Sequence, residues 1–581
     1  MISQRLAYLD ELRAIAIIAV VLYHCGFLEC GYLGVDAFLV ITGYLSSKSL
    51  LDGKYSYHQF LTNRVLRLLP VILIAGIIVI AIGWFTMLPD DYENLCESVV
   101  ATNLFGNNVL SAITTGDYWN IANEYKPLMH TWYVGLLMQF YLVYLAIFPI
   151  YKKDDKVPQK TLLVCISTLG VLSLLWYFGS TNEAHRFYYL PARFFEFAVG
   201  GIVALAYTPS HERLFHPVFS YLCYALFVAL LFVGYEIIPS YVRLPLVVAL
   251  CAVLLLSSDT LNKASTHFRV LAKLGIASYS IYIWHQILLA FYRYVIGEPF
   301  TLWTFILYVV AVSIISWLSY QLIEQGVNRV YILRKGRVFI GLIAVWLLLT
   351  GFAGYVYIRG GIVRDVPELG LTVKDGHRRM NVEYTERGFK YDKPFVSDKK
   401  EHWFVIGNSF GRDFVNVILE SDIADKVEVS FTDDFSKTSN QDRFAKADRV
   451  FVSTRGLSKR LVSAVEVESW ANGLAPDKIV IVGDKSFGVN NGRVYAKRYS
   501  PDYFEQRVEP LGGTLFLERN NHFREFYGER FIDLMSMVTD EEGLVQIFTP
   551  DHHFISADGK HLTKYGAKFF AERINWGKIL K

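Results

Sequence analysis

Long apolar runs separated by short polar segments dominate the chain up to Ile358. A helix needs about 20 predominantly apolar residues to cross a bilayer, and eleven runs of this kind predict a bundle of eleven transmembrane helices. They begin near Leu12, Gly34, Leu68, Leu128, Thr161, Leu190, Phe215, Tyr241, Val270, Thr301 and Val338. We expect the first helix to be retained, because no small-residue cleavage site follows its polar start.

The pattern changes after Ile358. Residues 359–581 are rich in charge and contain no long apolar run. Short apolar runs at 403–406, 450–453 and 479–482 alternate with stretches compatible with helices, which predicts an α/β domain with a parallel sheet. The predicted organisation is a membrane domain at 1–335, an additional transmembrane helix at 336–358, a linker at 359–398 and the α/β domain at 399–581.

Basic residues concentrate in three of the polar loops, and such loops tend to stay in the cytoplasm. They are Lys48, Lys54, Arg64 and Arg67, then Lys152, Lys153, Lys156 and Lys160, then Arg329, Arg334, Lys335 and Arg337. The acidic stretch 89–127, which includes Asp117, is predicted outside. With a cytoplasmic N-terminus and an odd number of spans, the C-terminal domain is predicted in the periplasm of a bacterium, beyond the inner membrane.

Composition supports a membrane protein, since 53 % of the 581 residues are hydrophobic and 19 % are charged. The net charge of +3 gives no basic excess for nucleic acid, so we expect no nucleic-acid partner. None of the six cysteines shows metal-ligand spacing, so a zinc site or a disulfide scaffold is not expected, and no metal is predicted.

Several ionisable residues fall within the apolar runs, where each needs a partner or a function. Arg13 and His24 are eleven positions apart and share nearly the same face of a helix. Asp36, Arg193, Glu196, His285 and Glu324 join them, so we expect a polar cavity in the bundle. The alternative for His24 is a hydrogen-bonded residue of the core.

Arg64 and Arg67 lie at i and i+3, on one face of a helix, before the third span. They either anchor the helix at the cytoplasmic boundary or, with Arg13, bind the phosphates of a nucleotide-like donor, because guanidinium groups match phosphate oxygens.

A second candidate site lies in the α/β domain. Ser409 follows a short apolar strand in the turn 407–411, where a serine is either exposed as a nucleophile or simply part of the turn. Asp558 and His561 are three positions apart and would supply the orienting carboxylate and the base. His552 and His553 are exposed loop residues or competing bases.

Ordered motifs across about 340 residues resemble the acyltransferase family 3 membrane proteins. They are YLDELRAIAIIAVVLYH, GYLGVDAFLVITGYL, NRVLRLLP, PLMHTW, RFFEFAVG, LGIASYSIYIWH and LSYQLIEQ. The resemblance implies transfer of an acyl group from cytoplasmic acyl-CoA to a surface carbohydrate, with essential Arg13 and His24 and a donor-side RxxR motif at Arg64 and Arg67. Leu137 and Met138 stand where relatives commonly have two glutamates. This sequence lacks those two carboxylates, so no role in the site can be assigned to them.

The C-terminal domain resembles the SGNH hydrolases and transferases, with a flavodoxin-like parallel sheet. The resemblance implies Ser409 as nucleophile, Asp558 and His561 as acid and base, and Asn490 of FGVNNG as an oxyanion donor, with Gly456 a weaker candidate for the second-block glycine. The GDSH block departs from the family pattern and reads Gly407, Asn408, Ser409 and Phe410.

The order of the two halves resembles the fused bacterial O-antigen O-acetyltransferases. We therefore expect an O-acetyltransferase that carries acetyl from acetyl-CoA across the inner membrane to a hydroxyl of a surface glycan, most simply the O-antigen of lipopolysaccharide. Asp36, Arg193 and Glu196 are expected to support the membrane site. The alternatives are a glycan acetyl-esterase, or a transporter of acyl donor or lipid-linked sugar with a glycan-binding domain.

Overall fold

The computed structural model describes residues 7–52, 56–114, 124–148, 156–206, 217–234, 236–257, 269–297, 299–377 and 380–580. The chain divides into two units. The first comprises Met1–Ile82 and Leu95–Gly354, and the second comprises Gly83–Asn94 and Tyr355–Lys581. Lys54, Lys152 and Lys153, used above to predict orientation, and the acidic Asp117 lie outside the described residues.

The first unit is helical throughout its described part. Its helices, some of which run on into the second unit, are α1 (Ala7–His24), α2 (Leu33–Leu51), α3 (Tyr57–Thr86), α4 (Pro89–Asn103), α5 (Asn107–Thr114), α6 (Trp132–Ile147), α7 (Lys156–Gly179), α8 (Glu183–Tyr188), α9 (Leu190–Ala206), α10 (Pro217–Phe232), α11 (Ser240–Leu256), α12 (Arg269–Ile276), α13 (Ser278–Val295), α14 (Leu302–Leu318) and α15 (Gln325–Ile358). A π-helical turn, Ser319–Glu324, joins α14 to α15.

Six stretches of the described chain are long and apolar enough to cross a membrane, and a seventh arises if α12 and α13, bent by 75°, form one span. The six are Tyr57–Thr86, Met129–Ile147, Gln159–Gly179, Glu183–Ala206, Leu302–Ile332 and Gly336–Ile358. The predicted count of eleven is therefore not confirmed. The difference has a physical source, because α1 carries Asp10, Glu11 and Arg13 within its first two turns, and α10 and α11 are only 16 and 17 residues long.

Glycines bring α2 and α9 into backbone contact. A Cβ on Gly43 would lie 2.1 Å from the carbonyl oxygen of Phe197, and one on Gly200 would lie 2.0 Å from that of Val40. Real Cβ atoms do not approach so closely, so each position requires a residue without a side chain. Small residues at such crossings let membrane helices pack tightly.

The second unit contains a five-stranded parallel sheet, which confirms the α/β prediction. The strands are β1 (Glu401–Ile406), β2 (Val427–Thr432), β3 (Arg449–Ser453), β4 (Ile479–Val482) and β6 (Phe531–Ile532), in the order β2-β1-β3-β4-β6. Strands β5 (Arg507–Val508) and β7 (Val545–Gln546) form a separate antiparallel pair. The remaining helices are α16 (Met380–Glu386), α17 (Ser409–Leu419), α18 (Asn440–Lys446), α19 (Lys459–Ala471), α20 (Gly492–Tyr495), α21 (Gly513–Tyr527), α22 (Lys564–Ala571) and α23 (Trp576–Ile579).

The central strands are apolar on both faces because helices cover both faces of the sheet. Along β1, Trp403 and Val405 belong to a core shared with α17 and α22. Phe404 and Ile406 point the other way, into a core shared with α18, α19 and α21. This alternation explains why the strand reads as a continuous apolar run in the sequence.

The segment 83–94 belongs to the second unit although it precedes most of the first in sequence. Leu88 is buried in the core of the sheet face that holds α17. Arg364 donates a hydrogen bond to the carbonyl oxygen of Met87 at 2.6 Å, and its guanidinium lies over the rings of Tyr92 and Tyr495. Residues 359–398, predicted as a linker, also lie in this unit and contain short helical turns at Pro367–Leu369, Val373–Asp375 and Arg387–Tyr391.

Candidate active sites

Ser409 lies at the carboxyl end of β1, as the first residue of α17. The strand order reverses between β1 and β3, and ligands of open α/β sheets bind at such switch points. The side chain of Asn408 caps the helix by accepting a hydrogen bond from the amide of Phe410 at 3.1 Å. A Cβ on Gly407 would lie 1.8 Å from the carbonyl oxygen of Ser453, so this turn requires a glycine.

The structure brings Ser409, His561 and Asp558 into one hydrogen-bonded chain. Nε2 of His561 lies 3.0 Å from Oγ of Ser409, and Nδ1 lies 2.6 Å from Oδ2 of Asp558. A carboxylate can only accept hydrogen bonds, so Nδ1 of His561 carries the proton in this pair. Nε2 of the neutral ring is therefore unprotonated and can accept the proton of Ser409. The side chain of His561 is 31 % exposed, which leaves the site open to a substrate.

Asp558 is held as a carboxylate. The side chain is about half exposed, and the desolvation by the surrounding protein that opposes its ionisation is outweighed. The hydrogen bond and charge of His561 and the backbone N–H groups of Lys560 and His561 hold the pKa of Asp558 well below its usual range. Both N–H groups donate to Oδ1 at 2.8 Å. The acid is thus fixed in position and charge for orienting the imidazole.

A buried ion pair that the sequence pattern did not predict lies beneath this site. Nζ of Lys485 is 2.8 Å from Oδ2 of Asp413, with the two side chains 2 % and 0 % exposed. The same Asp413 oxygen accepts the backbone N–H of Leu562, directly after His561, at 3.1 Å. Lys485 also covers the ring of Phe410, which stands where the GDSH block has histidine, at 3.3 Å from its centroid. Burial lowers the pKa of Lys485, and Asp413 opposes that shift.

Asn490, predicted as an oxyanion donor, and Gly456, the weaker candidate for the second-block glycine, both have other partners in the structure. Nδ2 of Asn490 donates to Asp91 at 3.1 Å, and its Oδ1 accepts from the amide of Gly492 at 2.7 Å. The amide nitrogen keeps a second hydrogen, since an NH₂ group has two donors. The N–H of Gly456 donates to Asp484 at 2.9 Å, so it does not serve as a free donor in this conformation.

His552 and His553 stack on other rings. The ring of His552 lies 4.0 Å from that of Phe504, and the ring of His553 lies 3.7 Å from that of Tyr565. His561 is therefore the histidine that the described structure places against the serine. Within the described residues, no group of three His, Cys, Asp or Glu side chains could hold a metal ion.

In the first unit, the three predicted donor-side arginines line one cavity of about 60 Å³. Its lining consists of Arg13, Phe38, Thr42, Arg64, Arg67, Leu68, Tyr133, Leu137, Tyr141, Ser278, Tyr279 and Tyr282. Arg13 is paired with Asp10 at 3.0 Å, and Arg64 lies over the rings of Phe60 and Tyr141. Leu137 also lines the cavity and makes its wall apolar at this position.

A row of buried rings leads from this cavity to His24. Tyr282, in the cavity wall, lies 5.1 Å from His130 between ring centroids. His130 lies 5.4 Å from His285, and His285 lies 5.3 Å from His24. Arg293 donates to the carbonyl oxygen of His24 at 2.7 Å. His285 was predicted from the sequence but His130 was not, because the one sequence signal at His130 is its place in the PLMHTW motif.

Asp36, Arg193 and Glu196 form a buried cluster between α2 and α9. Arg193 bonds to Asp36, and its Nε lies 2.8 Å from Glu196. None of the three lines the arginine cavity. Glu324, in the π-helical turn, accepts a hydrogen bond from Ser280 at 2.5 Å.

A helical unit with apolar helices long enough to cross a membrane and an arginine-lined cavity is followed by an α/β unit with a hydrogen-bonded serine, histidine and aspartate, an architecture typical of membrane-bound acyltransferases. The acyltransferase domain family matches residues 6–321, more than half of the chain, and the chain belongs to this family. The family 3 resemblance is thus confirmed, and the second unit fits the SGNH-like domain expected from the sequence.

Curated relatives agree with this assignment. The chain is 30 % identical over 353 residues to the peptidoglycan O-acetyltransferase OatA of Listeria monocytogenes, a match covering 55 % of each chain. It is 27 % identical over 373 residues to BcsY of Komagataeibacter xylinus, covering 60 % of this chain and 90 % of that protein. The O-acetyltransferase OatA of Staphylococcus aureus is 23 % identical over 354 residues, covering 55 % of this chain and 57 % of that protein. The chain therefore spans about half the length of both OatA proteins, and no solved structure matches it.

Proposed function

We propose that this protein transfers an acetyl group from cytoplasmic acetyl-CoA to a hydroxyl group of a glycan outside the membrane. The hydrogen-bonded chain of Ser409, His561 and Asp558 carries the proposal, because it supplies a nucleophile that can accept and release an acyl group. The proposed orientation places the N-terminus in the cytoplasm and the second unit in the periplasm, with the first unit in the inner membrane.

The first half of the reaction uses the arginine cavity. Arg13, Arg64 and Arg67 bind the phosphates of the donor, because their guanidinium groups match phosphate oxygens in charge and geometry. His24, at the far end of the row of rings, acts as base or transient nucleophile for the acetyl group. The buried cluster of Asp36, Arg193 and Glu196 supports the bundle that holds this site.

The second half uses the serine site. Oγ of Ser409 attacks the carbonyl carbon of the acetyl group on its carrier while Nε2 of His561 takes the serine proton, and Asp558 stabilises the imidazolium that forms. The bond between the acetyl carbon and the carrier atom then breaks, and His561 gives the proton to that departing atom, which leaves an acetyl ester on Ser409. The oxyanion is bound by the amide of Ser409 and by the second N–H of Asn490. A glycan hydroxyl then gives its proton to His561 and attacks the acetyl-serine ester, which releases Ser409 and leaves the acetyl group on the sugar.

The acceptor is proposed as peptidoglycan or the O-antigen of lipopolysaccharide. The names of the Listeria and Staphylococcus relatives favour O-acetylation and, for Listeria, peptidoglycan. The order of motifs favours O-antigen, as noted above. The two acceptors share the chemistry of a sugar hydroxyl, so one strain set can test both.

The test measures base-labile acetate on purified peptidoglycan and lipopolysaccharide from a deletion strain that carries wild type, His24→Ala or Ser409→Ala. We expect wild type to restore acetate on one glycan and both variants to fail at normal abundance. His185→Ala and Ser421→Ala are matched controls, since His185 stacks on Tyr189 and Ser421 only bonds to a helix-end carbonyl. No acetate on either glycan in the wild-type strain would reject the proposal.

Hydrolysis is the second candidate, because the same serine site can pass the acetyl group to water. A glycan esterase predicts more acetate in Ser409→Ala than in wild type, whereas transfer predicts less. A transporter needs no base at position 24, so full acetylation by His24→Ala would favour transport of the donor.

A further inference from the structure

One turn of α13 carries a concentration of buried polar atoms that have no partner within the described chain. Gln286 is fully buried, and among the described residues neither Nε2 nor Oε1 of its amide has a hydrogen-bond partner. Nε2 of the neighbouring His285, also fully buried, has no partner in that part of the chain either. A buried amide without hydrogen bonds is costly, so two adjacent residues of this kind indicate a site that a polar ligand fills.

The position of Gln286 connects it to the arginine cavity. Three residues of α13 line that cavity, namely Ser278, Tyr279 and Tyr282. On a helix, residues three and four positions apart share a face, so His285 and Gln286 lie one turn beyond Tyr282 on the same face. From Ser278 to Gln286 the helix rises about 12 Å, away from the arginines and toward His24.

The tautomer of His285 adds an acceptor to this site. Its Nδ1 lies 3.1 Å from the carbonyl oxygen of Ile281. A carbonyl can only accept, so Nδ1 carries the proton and Nε2 presents a bare lone pair. The turn thus offers one amide, which both donates and accepts, and one further acceptor beside the ring of His24.

We propose that Gln286 binds the amide-bearing thiol arm of the acyl donor, the pantetheine arm of acetyl-CoA, between the arginine cavity and His24. The two hydrogen-bonding atoms of the Gln286 amide match a secondary amide of the arm, whose carbonyl accepts from Nε2 and whose N–H donates to Oε1. The arm then runs along α13 and brings the thioester carbonyl to His24. This inference rests on the proposed function and adds a specificity-determining residue to its first half.

The experiment compares two thioesters on the full-length protein in lipid nanodiscs, by the rate of thiol release. S-acetylpantetheine carries the two amides of the arm, and S-acetyl-2-mercaptoethanol carries none. We expect wild type to prefer S-acetylpantetheine in kcat/KM, and Gln286→Leu to lower that value about 10- to 100-fold while the rate with the amide-free donor stays unchanged. The kcat/KM for acetyl-CoA should fall by the same factor as the kcat/KM for S-acetylpantetheine.

Gln139→Leu is the matched control. Its amide donates to the carbonyl oxygen of Phe105 and to Asn108, so its role is structural. We expect Gln139→Leu to lower the yield of folded protein and to keep the donor preference, whereas Gln286→Leu keeps the yield because it removes an amide with no partner.

Two outcomes overturn the inference: an unchanged donor preference in Gln286→Leu, or an equal loss with both thioesters. Failure of the proposed function is distinguishable, because wild type would then release no thiol from acetyl-CoA at all. If wild type is active and the preference for the amide-bearing donor is absent, only the assignment of Gln286 fails.

Discussion

The buried pair of Lys485 and Asp413 provides a prediction that separates folding from catalysis. Lys485→Met keeps an apolar side chain over the ring of Phe410 but leaves the Asp413 carboxylate without its counter-charge. Removing one partner of a buried ion pair costs about 3–5 kcal/mol, because the remaining charge is desolvated and uncompensated. We therefore expect a large loss of stability in the second unit.

The pair Lys446 and Asp442 is a matched reference. Its atoms are 3.1 Å apart, close to the 2.8 Å of the buried pair, but its side chains are 51 % and 57 % exposed. Exposed pairs of this kind contribute less than about 1 kcal/mol. Since distance is nearly the same, the comparison between Lys485→Met and Lys446→Met measures the effect of burial.

The assay is urea titration of the full-length protein in nanodiscs, with brief proteolysis and detection of the C-terminal fragment. For a urea dependence of about 1–3 kcal/mol per molar, a loss of 3–5 kcal/mol lowers the midpoint by more than about 1 M. Lys446→Met should leave it within a few tenths molar. Equal midpoints for the two variants would refute the reasoning.

The double variant Lys485→Met with Asp413→Leu tests the second role of the carboxylate. Replacing a buried ion pair by apolar residues is often neutral for stability, so the midpoint should recover except for the about 1–3 kcal/mol lost when the buried N–H of Leu562 has no acceptor. Ester hydrolysis should not recover, because the backbone N–H of Leu562 loses its acceptor and the adjacent His561 is no longer held against Ser409. Recovery of both would show that Asp413 has no positioning role.

Further results are expected for Asp558, for Gly43 and for the donor-side arginines. Asp558→Asn should lower ester hydrolysis by about 10³- to 10⁴-fold by removing the carboxylate that orients the imidazole. The pKa of Asp558 in the folded protein lies well below its value of about 3.9 in the unfolded chain. The ionised carboxylate therefore stabilises the fold above about pH 3.9, and this stabilisation is lost as the pH falls through the lower pKa of the folded state. Gly43→Ala should lower the thermal stability of the first unit by about 1–3 kcal/mol, whereas Gly341→Ala, with open space around it, should not. Arg67→Lys should raise KM for acetyl-CoA, because lysine lacks the planar guanidinium group that binds phosphate through two N–H groups. Arg64→Lys should have the same effect and should also lose the contacts of Arg64 with the rings of Phe60 and Tyr141.

Each of these results has a contrary outcome. The rate of the wild-type protein could fall with decreasing pH between about pH 8 and pH 5. If this fall were absent in Asp558→Asn, the carboxylate of Asp558 would titrate in that range, contrary to its lowered pKa. Equal melting temperatures for Gly43→Ala and Gly341→Ala would show that the contact between α2 and α9 can relax. A wild-type KM in Arg67→Lys would remove the phosphate-binding role of that arginine.

Local patterns predicted the parts of the fold that depend on neighbouring residues. The runs at 403–406, 450–453 and 479–482 lie in β1, β3 and β4, because strands covered on both faces must be apolar without interruption. The Ser409 turn and the pair of Asp558 and His561 could also be predicted from the sequence, because in each case a few neighbouring residues carry the catalytic groups. Only the structure shows that these two segments lie within hydrogen-bond distance of each other.

Partners distant in sequence were not predictable from the pattern. Lys485 follows β4 and Asp413 lies in α17, and neither segment indicates that the two side chains meet. The predicted number of membrane helices is not confirmed, for a related reason. Helices that bury charged residues inside a bundle, such as α1 with Asp10 and Arg13, are not distinguished from lipid-facing ones by composition alone.

The segment 83–94 makes the second unit discontinuous, and this limits how the protein can be divided. A fragment that begins at Tyr355 lacks Leu88 from its core, the carbonyl that Arg364 binds and the carboxylate that holds Asn490. Chimaeras that exchange C-terminal halves between relatives would join a serine site to a foreign copy of this segment. The natural unit of exchange is therefore residues 355–581 together with 83–94, and a graft that carries both should retain activity that a single-junction graft loses.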